Sequence, residues 1–130
     1  MYRYAKLAKN NSQIELFDLR TDETVTKTVK YAGGELELPF SKTMLEAPFL
    51  VSIARPKTHC SVAMTGGIKN ILVGAIHKHS MRMKIHHGNA IHSIMASLAD
   101  LVYPDFAVID GTVGMENGGP VRGKSRPPAR

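Results

Sequence analysis

The stretch Phe49-Leu50-Val51-Ser52-Ile53-Ala54-Arg55-Pro56-Lys57-Thr58-His59 decides the fold of this 130-residue chain. Its first five residues form a nearly continuous apolar run, which is typical of a strand buried on both faces of a parallel sheet. Pro56 ends that strand, and the residues around it carry two cations and an imidazole. The sequence therefore predicts a buried strand that leads directly into a chemically rich loop.

A second strand of the same kind is predicted at residues 106–109, and two helices are predicted between the strands, at 67–76 and 89–102. Apolar residues recur at helical spacing in both helical segments. Strands that alternate with helices favour parallel βαβ pairing. We therefore expect an α/β fold with a mainly parallel or mixed sheet and flanking helices. Upstream, the patterns predict strands at 14–19, 24–31 and 35–38, the last stopped by Pro39, and a short helix that Ser41 caps and that runs to Ala47.

The length suits one domain, which we place at residues 1–120. From Gly111 onward the chain is rich in glycine and proline, which predicts a loop and then a basic mobile tail at 121–130. No apolar run is long enough to span a membrane and no signal peptide is visible. Cys60 is the single cysteine, so no internal disulfide can form. We expect a cytoplasmic protein.

The formal charge of +6 is concentrated in the middle of the chain. Residues 55–84 contain six lysines and arginines and no acidic residue. A block of one sign favours anionic partners. The alternative is a solvated basic surface without a ligand.

The predicted site lies at the carboxyl ends of the two buried strands, where ligands bind in open parallel sheets. We expect Lys57, His59, Asp110 and Glu116 to converge there. His59, Asp110 and Glu116 are the candidate catalytic residues and the candidate ligands of a divalent metal. In the alternative interpretation, Asp110 and Gly111 only turn the chain and Lys57 is solvated.

A glycine pair, Gly66-Gly67, precedes the first predicted helix and offers free backbone N–H groups at its positive end. Lys69 follows within the first turn. The candidate substrate-binding residues are therefore Lys57, Thr58, Gly66, Gly67, Lys69 and Asn70. A glycine turn that only lets the helix pack closely against the sheet is the alternative.

Four blocks resemble a known family. They are residues 49–59, Gly67-Ile68-Lys69-Asn70-Ile71-Leu72-Val73-Gly74, Pro104–Gly111 and Met115–Gly123, in the order and spacing of the domain of unknown function numbered 362. The resemblance places Lys57, His59, Lys69, Asn70, Asp110, Glu116 and Gly119 on motif positions, and His86 or His87 more loosely on a further histidine. It also implies that the chain is a shortened member or a piece of a larger domain.

Members of that family are often fused to ferredoxin-type iron–sulfur modules. One cysteine cannot hold such a cluster, so we expect none in this chain but an iron–sulfur protein as a partner.

Three hypotheses stay open. The first is an enzyme for a small anionic substrate, in which Lys57 and Lys69 hold the anion, His59 transfers protons, and Asp110 and Glu116 bind a metal or act as base.

The second hypothesis is an accessory subunit that docks onto an electron-transfer partner. The third is a nucleic-acid-binding module, which the eight aromatic residues and the lack of a recognisable motif disfavour. We also expect a homo-oligomer or a subunit of a larger assembly, because a parallel sheet cut short leaves an open edge and an uncovered apolar face.

Overall fold

The structure is a computed structural model that describes residues 2–86 and 90–127. Its helices are α1 (Tyr2–Lys9), α2 (Lys42–Glu46), α3 (Gly67–Gly74), α4 (His79–His86) and α5 (Ile91–Ala99), with one turn of 3₁₀ helix at Leu19–Thr21. Its strands are β1 (Thr24–Tyr31), β2 (Gly34–Ser41), β3 (Val51–Ala54), β4 (Lys57–His59), β5 (Ala63–Thr65), β6 (Phe106–Ile109), β7 (Gly114–Glu116) and β8 (Lys124–Arg126).

Strands β3 and β6 are parallel neighbours, with Val51 opposite Phe106 and Ala54 opposite Ile109. The chain between them contains α3, α4 and α5, so the predicted βαβ unit is confirmed. Around this unit the strands form a mixed arrangement. Strands β1 and β2 make an antiparallel hairpin, and β5-β4-β7-β8 make a four-stranded sheet in which only β4 and β7 are parallel. The α/β class with mixed sheets is therefore confirmed.

The hydrophobic core lies between the β1–β2 hairpin and helices α3 to α5. The fully buried large side chains include Leu38, Phe40, Leu72, Ile76, Ile85 and Leu98. The apolar face of the second predicted helix is buried at Ile91, Ile94 and Leu98, with Met95 partly buried, but α5 ends at Ala99 and the buried Val102 lies beyond it. Ser41 caps α2 as predicted, since its Oγ accepts a hydrogen bond from the Met44 N–H at 3.2 Å.

Several predicted boundaries are wrong. Residues 14–18 form no strand, and β2 continues through Pro39 to Ser41 because its pairing with β1 extends to Thr24. The helix predicted at 67–76 ends at Gly74. Strands β7 and β8 occupy the segment predicted as loop and tail, because β7 pairs with the distant β4 and β8 pairs with β7. Asn89, the predicted start of the second helix, lies outside the described residues.

The prediction that β3 and β6 are buried on both faces is also wrong. Helix α3 covers the face on which Ser52 is fully buried. The opposite face consists of apolar side chains that are 44–63% exposed, namely Val51, Ile53, Phe106 and Val108. No element of the described part of the chain covers this surface, which we call the open sheet face. None of the described helices has the length and apolar character needed to cross a membrane.

Helix α3 lies unusually close to the β3–β6 pair. The Ser52 hydroxyl donates a hydrogen bond to the Gly67 carbonyl at 2.8 Å, and the Asn70 side-chain amide donates to the Ser52 Oγ at 3.3 Å. A Cβ atom at Gly67 would lie only 2.7 Å from the Cβ of Ala107. The close approach of helix and sheet therefore requires a glycine at position 67. This agrees, for Gly67, with the alternative prediction that the Gly66-Gly67 pair lets the helix pack closely against the sheet.

Substitution of Gly67 with alanine is expected to lower the free energy of unfolding by about 1–3 kcal/mol, because the added methyl group overlaps Ala107. Gly74→Ala, at the other end of α3, is the matched control. Nothing lies within 4 Å of a Cβ at Gly74, so this change should be neutral or stabilising by up to about 1 kcal/mol. Urea unfolding of both variants measures the difference. Equal stabilities would contradict the packing described for α3.

Candidate functional site

The carboxyl ends of β3 and β6 lie side by side, as the sequence predicts. The Asp110 N–H donates to the Ala54 carbonyl at 2.8 Å, and the Arg55 Nε donates to the Asp110 Oδ2 at 3.1 Å. The chain then continues into β4 and β7, where Lys57 lies opposite Met115. Both predicted loops therefore lead into one region of the molecule.

Asp110 is engaged by its own neighbours. Its Oδ1 accepts hydrogen bonds from the backbone N–H and the hydroxyl of Thr112, and its Oδ2 pairs with Arg55. The hydrogen bonds from Thr112, and to a smaller extent Arg55, hold the pKa of this carboxyl below its usual range. Asp110 is thus an ionised residue that orders the turn after β6.

Glu116, on β7, forms an ion pair with Arg126 on β8, with 2.7 Å between Oε2 and Nε. Both residues line a pocket of about 320 Å³, whose other lining residues include Lys57 and Thr58. The structure thus brings Glu116 together with Lys57. It does not bring Glu116 together with His59 or Asp110 as one group.

His59, Lys69 and His86 form a largely buried group that we call the His–Lys cluster. The His59 ring stacks on the His86 ring, with 5.2 Å between ring centroids and 29° between ring planes. The His59 Nδ1 accepts a hydrogen bond from the Ser61 N–H at 3.1 Å, so the neutral ring carries its proton on Nε2. Cys60 is free and exposed, with its Sγ 4.0 Å from the same Nδ1.

Lys69 is the most unusual charged residue of the cluster. It lies in the first turn of α3 and is only 8% exposed, yet none of the ion pairs in the described chain involves it. Burial lowers its pKa, and nearby Cys60 offsets part of that effect. A cation near the positive end of a helix dipole is disfavoured as well. The fold therefore holds an amine where its charged form is poorly compensated.

The pKa of His59 is lowered for three reasons. Burial is the largest, because His59 is only 9% exposed and the charged ring loses its hydration. The nearby Lys69 ammonium and then His86 lower it further. The ring is therefore predominantly neutral near pH 7.

A cleft of about 230 Å³ opens between the carboxyl end of β3 and the start of α3. Because it contains two cations and no carboxylate, we call it the basic cleft. It is lined by Ile53, Ala54, Arg55, Lys57, Thr65, Gly66 and Asn70. Gly66 is the N-cap of α3, and no side chain caps that end, so first-turn N–H groups are available to a ligand. Such a cleft suits a small anion.

The candidate substrate-binding residues thus divide among three places. Lys57, Gly66 and Asn70 line the basic cleft. Lys69 belongs to the His–Lys cluster, and Gly67 packs against Ala107. Thr58 lines the neighbouring pocket beside Lys57, and its buried Oγ1 has no hydrogen-bond partner within the described residues.

The predicted metal ligands His59, Asp110 and Glu116 are not placed around one point. Within residues 2–86 and 90–127, no three His, Cys, Asp or Glu side chains are arranged to hold a metal ion. Each carboxylate instead pairs with an arginine. The geometry therefore does not fit this ligand set, while a requirement for some divalent metal stays a prediction.

From the sequence, His86 corresponds only loosely to a histidine of the family. In the structure its ring stacks on that of His59. It lies on α4, which the sequence did not predict because residues 77–86 show no apolar period. Its side-chain Nδ1 lies 2.6 Å from the Arg82 carbonyl oxygen, one helical turn earlier. The loose resemblance to a further histidine of the family was the signal that pointed to it. His87 lies outside the described residues.

We expect the pKa of His59 to lie below 6.5 and to rise, without regaining that value, when Lys69→Met removes one neighbouring charge. Burial persists in the variant and is the larger cause. NMR titration of the imidazole in both proteins measures this. Since the unfolded ring binds protons more tightly than the folded ring, stability should fall as the pH drops below about 6.5. An ordinary pKa in the wild-type protein would contradict the buried arrangement.

Comparison with known proteins identifies the family. The chain is similar to the thylakoid-associated protein sll1697 of Synechocystis sp. (strain ATCC 27184 / PCC 6803 / Kazusa), with 26% identity over 109 residues that cover 75% of this chain and 34% of that protein. The chain thus spans about a third of the length of this relative. No solved structure matches. The family model described as "Domain of unknown function (DUF362)" matches residues 2–130, and the chain belongs to that family.

Proposed function

We propose that this chain binds a small anionic substrate between the basic cleft and the His–Lys cluster and supplies acid–base chemistry to it. The observation that carries the proposal is Lys69, a buried amine without a carboxylate partner among the described residues. A buried cation without a partner costs several kcal/mol, so such a group either loses its proton or binds an anion. An anionic ligand relieves the cost.

The basic cleft supplies the rest of the binding site. Only the Nε of Arg55 contacts Asp110, which leaves its terminal N–H groups for a ligand. Lys57 lines the same cleft, and none of the ion pairs in the described residues involves it. With the N–H groups of the first turn of α3, these side chains make a positively polarised pocket of a size that suits a molecule of a few carbon atoms.

His59 is proposed to act on the bound anion as a neutral hydrogen-bond donor. Its Nδ1 is occupied by the Ser61 N–H, so the Nε2–H is the group that remains for a ligand. A neutral imidazole with a lowered pKa can polarise a carbonyl without contributing a full charge. This assignment refines the proton-transfer role that the sequence suggested for His59.

A second function, as a subunit of a larger assembly, is favoured by the open sheet face. A parallel sheet normally has both faces covered, whereas here four apolar side chains are exposed on one face. We propose that another copy or a partner, such as an iron–sulfur protein, packs there. The relative is named as thylakoid-associated, and by analogy we propose that this chain also attaches to a larger assembly. The free Cys60 suits a reducing compartment, so we propose the cytoplasm.

Lys69→Met is expected to weaken binding of inorganic phosphate or acetate at least about ten-fold, because it removes a desolvated charge-assisted hydrogen bond. Lys57→Met should weaken it less, since Lys57 is only partly buried. Lys27→Met, on the exposed side of β1, is the control and should change nothing. NMR titration with each anion gives the affinities. Unchanged affinity in the Lys69 variant would refute the proposed site.

Light scattering at micromolar concentration is expected to show a dimer or larger species for the chain alone. Phe106→Lys, which places a charge in the open sheet face, should shift it towards the monomer. Val121→Lys is the control, because Val121 is 82% exposed and belongs to the segment between β7 and β8 rather than to β3 or β6. A stable wild-type monomer would show that self-association does not cover the face and would leave a heterologous partner as the proposal to test.

A further inference from the structure

We infer that the anionic substrate is a small 2-oxo acid and that the Lys69 Nζ forms an imine with its carbonyl carbon. The inference rests on the proposed anion site and adds the chemical class of the substrate. It starts from the position of Lys69, which is buried in the first turn of α3 beside two imidazoles rather than beside carboxylates.

Three features of this position favour the neutral amine over the ammonium. The residue is only 8% exposed. The N-terminal end of α3 contributes a positive potential. No carboxylate forms an ion pair with Lys69 among the described residues, and Cys60 offsets only part of the effect of burial on its pKa. A desolvated neutral amine is the form that attacks carbonyl carbon.

The preference for an oxo acid follows from charge. A protonated imine keeps a positive charge at the Lys69 Nζ, in a place where the described chain provides no carboxylate partner. A substrate that carries its own carboxylate next to the carbonyl supplies that partner. The basic cleft, which is lined by Gly66 and Asn70 on either side of Lys69 in the sequence, can then hold the far side of the carboxylate through Lys57 and the Gly66 turn. A simple aldehyde would lack both interactions.

The step balances without another reactant. The Lys69 amine adds to the carbonyl carbon to give a carbinolamine, and a C–N bond replaces the C=O π bond. The carbon–oxygen single bond then breaks, and the two amine protons leave with the oxygen as water. The product is a neutral C=N bond that takes up one proton from solvent. The His59 Nε2–H would polarise the carbonyl oxygen during addition, as a neutral donor does.

The experiment is reductive trapping of the full chain with pyruvate and sodium cyanoborohydride, which reduces imines but not thiol adducts of Cys60. Peptide mass spectrometry should locate a carboxyethyl adduct on Lys69 in preference to the exposed Lys27 and Lys78. Trapping with acetaldehyde, which has no carboxylate, should label Lys69 at least about ten-fold less. Lys69→Arg should abolish the site-specific adduct while retaining most of the phosphate binding.

The possible results separate the two proposals. Adducts distributed according to exposure, with Lys69 unlabelled, would overturn the imine. If phosphate binding nevertheless depends on Lys69, the anion site stands and Lys69 acts only as a cation. If neither trapping nor anion binding depends on Lys69, both proposals fail. Because labelling is mapped in the wild-type protein, the result does not depend on whether a variant folds.

Discussion

The close approach of α3 to the β3–β6 pair is the constraint on which the rest of the structure depends. It is made possible by the missing side chain of Gly67 and is fixed by the hydrogen bond from Ser52 to the Gly67 carbonyl. Two residues later, the same helix turn carries Lys69 into a buried position next to His59. If the helix stood further away, its first-turn N–H groups would no longer border the cleft beside β3. Packing and chemistry are therefore set by the same few atoms.

The electrostatic pattern of the region separates two kinds of charged residue. Asp110 and Glu116 each have an arginine partner at the surface and order a local turn and a strand pair. Exposed ion pairs of this kind contribute little to the free energy of unfolding. Lys69 and His59 are buried, lack such partners in the described residues, and have lowered pKa values. Perturbed groups of this kind are more characteristic of functional sites than satisfied surface pairs are. We therefore propose that the buried Lys69 amine and His59 imidazole, rather than the two carboxylates, are the principal functional groups of the site.

Much of the fold could be predicted because its signals are local. The apolar runs of β3 and β6 and the helical periodicity of α3 and α5 each lie within a few consecutive residues, and the connection rules then fix parallel pairing. Strands β7 and β8 were missed because a strand of three residues is defined by its pairing, here of β7 with β4 and of β8 with β7. The burial of β3 was wrongly predicted, since an apolar residue such as Ile53 reveals its preference for burial but not whether anything covers it. For the site, the residue types were identified, whereas the grouping of His59 with His86 depended on α4, which has no clear pattern.

Lys69 has no carboxylate partner among the described residues, and we propose that a bound anion supplies its counter-charge. The most direct measurement is the pKa of the Lys69 Nζ, followed by NMR of the lysine side-chain carbons and nitrogen, in the free protein and in saturating phosphate. We predict a pKa below 10.5 in the free protein and a rise when phosphate binds, because the anion stabilises the ammonium form. A pKa at its ordinary value that phosphate does not change would contradict the account, since Lys69 would then be a solvated cation.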